Sequence, residues 1–161
     1  MTMMMKGDKY IGNISLLSLP NTGFLCSRKI SATCVLRSYD WALAQEKAGH
    51  CVIGGFHSKI EKDVLEFLLK GSQPLVIVLA RGFYKRWQPE IKARLGKGNL
   101  LIISPFDDSV TAVTPQTCLI RNKRIIELAD RIVVGYASPD GQISKLLHDL
   151  EKPLELLDYS G

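Results

Sequence analysis

Six short, predominantly apolar runs, set between helix-periodic stretches, constrain this chain more than any other feature. They span 23–27, 51–55, 75–80, 100–104, 131–136 and 153–157. A strand with one wet face alternates apolar and polar side chains, whereas a strand covered on both faces is apolar throughout. The runs therefore read as buried strands, and 14–19 reads as an additional edge strand. Helices are predicted over 32–48, 58–70, 86–96, 118–130 and 143–150. Gly49 and Gly71 follow the first two, where a glycine ends a helix readily. Ser58 and Glu61 have the spacing of a capping box.

This β-α-β-α order predicts the α/β class. The expected architecture is a Rossmann-like, three-layer, doubly wound, mostly parallel sheet. Its 161 residues, 46% of them hydrophobic, suffice for one domain with a true core. The domain is placed over 14–161, after a short lead of 1–13. Ligands in such folds bind beyond the carboxyl ends of the strands, near the point where strand order reverses. The strand-to-helix turns are thus the places to look for chemistry.

Composition narrows the function classes. The formal net charge is +5, which favours polyanionic partners without proving one. No apolar run approaches the roughly 18–20 residues that span a bilayer. The Met-rich start, 1–10, lacks the apolar core of a signal peptide, so the expected location is cytoplasmic. Cys26, Cys34, Cys51 and Cys118 form no C-x-x-C pair and have no histidine at metal-ligand spacing. Reduced thiols, no metal and no cofactor are expected, with Cys26 and Cys51 as small buried hydrophobes.

Three turns carry residues suited to an anion. Ser27 and Arg28 end the first run, offering a hydroxyl and a guanidinium. Gly54-Gly55-Phe56-His57-Ser58 ends the second and leads into a helix, whose amide-rich start would help form an anion nest. Arg121-Asn122-Lys123-Arg124 stands at the expected head of the 118–130 helix. Arg121 and Arg124 share a face there and oppose the macrodipole unless an anion offsets them. Ser138-Pro139-Asp140-Gly141 is either a plain turn or a further wall, and the polar loop 107–115 could flank the site. His57 and Glu61 are the acid/base candidates, although the capping box accounts for Glu61 by itself. The sequence contains no G-x-G-x-x-G fingerprint, no G-x-x-x-x-G-K-[ST] phosphate loop and no G-x-S-x-G elbow.

Together these turns resemble the Rossmann-like domain of the DNA-processing protein A (DprA, or Smf) family, within the wider group of SLOG-type nucleotide-binding domains. The family shows G-S-R after its first strand, S-G-x-A-x-G-I-D after its second and R-N-R-I-I on a later helix. The matching residues are Cys26-Ser27-Arg28, the segment Gly54-Gly55-Phe56-His57-Ser58-Lys59-Ile60-Glu61, and Arg121-Asn122-Lys123-Arg124-Ile125-Ile126. The resemblance spans about 14–157. It implies a basic pocket for single-stranded DNA or a nucleotide, lined by Ser27, Arg28, Gly54, Gly55, Phe56, His57, Ser58, Arg121, Asn122, Lys123 and Arg124. The second motif departs from the pattern, placing His57 where the family has alanine. The P-G-G-x-G-T-x-x-E motif of the related phosphoribohydrolases is absent. The family's flanking helical and winged-helix domains have no room in this length, so recombinase loading is not expected.

The expected function is a nucleic-acid-binding module without catalytic activity, with Arg28, Arg121, Lys123 and Arg124 on phosphates and Phe56 or Phe106 stacking on a base. The alternative is an enzyme or sensor for a small nucleotide-derived ligand in the same pocket. A third reading is a regulatory subunit with a vestigial pocket. A homodimer is left open.

Overall fold

The computed structural model describes residues 7–158. Seven strands form one sheet in the order β1-β5-β4-β3-β2-β6-β7. They are β1 (Lys9–Gly12), β2 (Asn21–Leu25), β3 (Cys51–Gly54), β4 (Leu75–Val78), β5 (Leu100–Ser104), β6 (Arg131–Val134) and β7 (Leu154–Leu156). Strand β1 is antiparallel to β5, and every other pairing is parallel. The helices are α1 (Ala32–Ala48), α2 (Lys59–Leu69), α3 (Pro89–Lys97), α4 (Pro115–Leu128) and α5 (Gln142–Leu147). No helix of the described residues is long and apolar enough to cross a membrane.

The period-2 geometry of the strands divides their apolar runs between two cores. Phe24, Val52, Leu75, Ile77, Leu100, Ile102 and Val133 face Ala42, Val64, Leu68 and Ile91 on α1, α2 and α3. Their neighbours Leu25, Ile53, Val76, Val78, Leu101, Ile103, Ile132 and Val134 face Leu16, Leu17, Ile125, Leu128 and Ile143 on the other side. The result is the predicted three-layer, doubly wound arrangement. Gly23 brings α4 close to the sheet centre, because a Cβ there would lie 3.0 Å from Ile125 Cγ2.

Two expectations are corrected. The edge strand is Lys9–Gly12, within the stretch expected as a lead, and residues 14–19 do not form it. Ile14–Ser18 is instead a 3₁₀ turn that buries the adjacent pair Leu16 and Leu17. Asn13 sets the turn: its Oδ1 accepts the Ser15 N–H and its Nδ2 donates to the Gly98 carbonyl. The other correction concerns α4, which starts at Pro115 rather than at 118. Thr114 caps it, with reciprocal bonds to Thr117. The basic cluster therefore lies past the first turn, where the macrodipole has little hold on it.

From β2 the chain steps through β3 and β4 to β5, then returns to place β6 on the other flank of β2. The connections leaving β2 and β6 diverge there, and a crevice opens at the carboxyl ends of the two strands.

Candidate nucleic-acid interface

A cleft of about 350 Å³ occupies that crevice. Its walls come from four segments distant in sequence: Cys26, Ser27 and Arg28 after β2; His57, Ser58 and Glu61 after β3; Val113 to Asn122 around the start of α4; and Ser138 to Ile143 after β6. The Ser27 hydroxyl accepts the Ser138 N–H at 3.0 Å, and the Ser27 N–H donates to the Tyr136 carbonyl at 2.8 Å. Ser27 thus locks the two turns of the switch point together, and Arg28 projects beside it, exposed.

The turn after β3 differs from the anion nest read from its sequence. The Glu61 carboxylate fills the nest itself. Its Oε1 accepts the N–H groups of His57 (3.1 Å) and Ser58 (3.0 Å), and its Oε2 accepts that of Cys26 (3.1 Å). Ser58 Oγ accepts the Glu61 N–H and completes the capping box. A carboxylate holding three backbone donors ties β2 to the start of α2, a structural role that accounts for Glu61.

The glycines of this turn make room for protein side chains. A Cβ on Gly54 would lie 2.8 Å from Phe56 Cζ. Phe56 has a left-handed backbone (φ 52°), packs in the core under α1, α2 and α3, and contributes to the floor of a second cleft. A Cβ on Gly55 would lie 2.5 Å from Cζ of Arg121. The Gly-Gly turn and the basic cluster therefore meet, with the guanidinium over the glycine.

Arg121 is only 4% exposed. Its Nε donates to Asn122 Oδ1 at 2.8 Å, Asn122 Nδ2 donates to Gln142 Oε1 at 3.0 Å, and Gln142 Nε2 donates to the Pro115 carbonyl at 3.1 Å. No carboxylate lies within ion-pair distance of Arg121 among the described residues. The rest of the cluster diverges from it. Lys123 points to solvent. Arg124 is buried in an ion pair with Asp8 and another with Glu127, and it lines neither cleft.

His57 stands where this cleft meets a second one of about 440 Å³; Val113 and Arg121 are shared as well. Burial holds the imidazole pKa below its usual value, helped by the charges of Arg121, Lys62 and Arg28 and opposed by Glu61.

Sequence reasoning missed the second cleft. Its outer wall is the loop between β4 and α3, with Arg81, Tyr84, Arg86 and Trp87. The Arg81 guanidinium lies 4.0 Å from the Tyr84 ring centroid, and Tyr84 meets Trp87 edge-on at 5.6 Å. Ser104 Oγ and Asp108 Oδ1 hold this loop, through the Arg81 carbonyl and the Phe83 N–H. The available signal was the alternation of basic and aromatic residues over 81–87, directly after a strand. Phe106, the other stacking candidate, lines neither cleft.

No family model matches the sequence, and no curated protein is similar to it in sequence. Among solved structures, the fold is similar to DNA processing protein A from Helicobacter pylori, with TM-score 0.74 and 17% identity over 97% of this chain and 74% of that one. That protein binds single-stranded DNA. DprA from Streptococcus pneumoniae superposes with TM-score 0.74 and 17% identity over 92% of this chain. The present chain spans about half of that protein, 54% of its length. A molybdenum cofactor binding protein from Rippkaea orientalis shares the fold more loosely, with TM-score 0.59 and 14% identity over 86% of this chain and 76% of that one. The class is therefore a Rossmann-like α/β domain. Within it, the architecture is similar to that of DprA proteins, as the sequence motifs predicted.

Proposed function

We propose that this domain binds single-stranded nucleic acid across the two clefts, with a backbone phosphate at Arg121 and Arg28 and a base against the Tyr84–Trp87 wall. The observation that carries the reading is Arg121, a buried guanidinium that opens onto both clefts and has no carboxylate partner among the described residues. Burying an uncompensated charge costs several kcal/mol, roughly, and an arriving phosphate would offset that cost through bidentate hydrogen bonds. The fold shared with single-stranded DNA-binding DprA supports the choice of ligand, as does the net charge of +5. The 350 Å³ cleft also suits a mononucleotide, the second reading.

Fluorescence anisotropy with labelled single-stranded oligonucleotides tests the proposal. Affinity should fall steeply with salt, with each of Arg28→Ala and Arg121→Ala reducing the log–log salt slope by about 0.7. Absence of binding at low salt, or binding unchanged by Arg121→Ala, overturns it. Strong thermal stabilisation by a nucleoside monophosphate, with none from oligonucleotides, selects the second reading.

A further inference from the structure

His57 is surplus to the grip described above. Its main-chain N–H serves Glu61, and its imidazole has no hydrogen-bond partner among the described residues. The ring stands beside Arg121 at the junction of the two clefts, in reach of whatever anion that guanidinium holds. The charged groups around it are mostly cationic. Arg28 comes from the turn after β2, Lys62 and Glu61 from α2, and Arg121 from α4. Arg81 and Arg86 add to them across the second cleft. Glu61, the sole anion in this set, already accepts three backbone N–H groups, and no bond joins it to the His57 ring. In the free protein the ring therefore has every reason to stay neutral.

A phosphate at Arg121 reverses this balance. It cancels the local positive field and offers oxygens that accept a hydrogen bond from an imidazolium. We propose that His57 is a proton-coupled phosphate contact: the ring takes up one proton from solvent as phosphate binds, and then donates a hydrogen bond to it. The inference deepens the phosphate-site reading and rests on it. It makes binding pH-dependent, because a ligand that raises proton affinity must itself bind tighter as pH falls. One proton sets the limit, about tenfold per pH unit, so affinity should rise severalfold, and by no more than about a hundredfold, between about pH 8 and pH 6. The motif position is a departure from the resembled family, where alanine supplies no titratable group.

Two measurements test it. In the first, the His57 ring is titrated by NMR with and without saturating sulfate, an anion that does not itself titrate in this range. Sulfate should move the His57 midpoint upward, and by more than any change at His50 or His148, which line neither cleft. An unmoved His57 overturns the inference. In the second, oligonucleotide affinity is followed against pH for the wild type and for His57→Gln, which should flatten the profile whatever its absolute affinity. A profile retained in His57→Gln, or flat in the wild type, overturns it while leaving the nucleic-acid reading intact. A sulfate-shifted His57 in a protein that binds no oligonucleotide upholds the inference and removes that reading instead. Comparing 5′-phosphorylated with unphosphorylated oligonucleotide separates the sources of the phosphate. A larger pH gain for the former marks a terminal monoester, and equal gains mark the backbone diester.

Discussion

Arg121 and Glu61 show how one residue's neighbours decide its role. Arg121 sits in a stretch whose four polar residues look alike in sequence, yet it alone among the cations lies buried in the clefts, while Arg124 is consumed by Asp8 and Glu127. An unpaired buried charge is a stability liability. Arg121→Met should therefore raise unfolding free energy by ~1 kcal/mol in urea denaturation while weakening oligonucleotide binding. Glu61 behaves oppositely. Glu61→Gln puts an amide donor against backbone N–H groups that need acceptors, and should cost about 2–3 kcal/mol in the same assay. The capping role of Glu61 was legible from its spacing to Ser58. Its reach to Cys26 was not, because that bond joins residues 35 positions apart.

Among the elements, α1 and α2 were readable from periodicity and terminal glycines, and α1 has the predicted bounds. The pair is held by a contact no pattern announces, Tyr39 Oη donating to Asp63 Oδ2 at 2.5 Å. Hydrogen bonding to Asp63 raises the Tyr39 pKa to about 12 and lowers that of Asp63. Tyr39 has its folded pKa raised, so its contribution is full below about pH 10 and lost as pH climbs through about 12. Asp63 has its folded pKa depressed, so its contribution is present above about pH 4 and lost as pH falls through the folded value. Tyr39→Phe should remove the alkaline loss and part of the acid loss, measured as the difference in thermal midpoint from the wild type across pH. Element ends were less legible where long side chains supply the caps. Arg94 donates to the carbonyls of Leu68, Gly71 and Gln73 in the last turn of α2 and just beyond it, and Lys152 to those of Ile126, Glu127 and Ala129 at the end of α4. Both cations come from distant segments, which local spacing does not encode.

For the whole molecule, the sheet order places two clefts side by side, and a strand crossing both should meet Trp87 as well as Arg121. The chain has two tryptophans. Trp41 is stacked on the buried Phe24, with centroids 4.9 Å apart, whereas Trp87 lines the second cleft. Oligonucleotide binding should therefore quench mainly Trp87 fluorescence. Trp87→Phe should abolish most of the quench with modest loss of affinity, and Trp87→Ala should weaken binding by about 1–3 kcal/mol. A quench that survives Trp87→Phe would remove the base from this wall.

The sequence by itself determined the layering. The apolar runs that became β2 to β6 bury both sheet faces, and helix-periodic stretches between them require covering layers; the last run, β7, is an exposed edge strand and departs from the buried reading. It also located the turns from which the first cleft is built, since these folds confine function to strand ends. Only the tertiary structure decided which side chains share that space. It set Glu61 in the nest expected for a ligand, laid Arg121 over Gly55, withdrew Arg124, and opened a second cleft alongside with Tyr84 and Trp87 in its wall. The physical reason is that burial and charge pairing depend on distances between segments far apart in the chain, whereas periodicity records only where a segment's own side chains point.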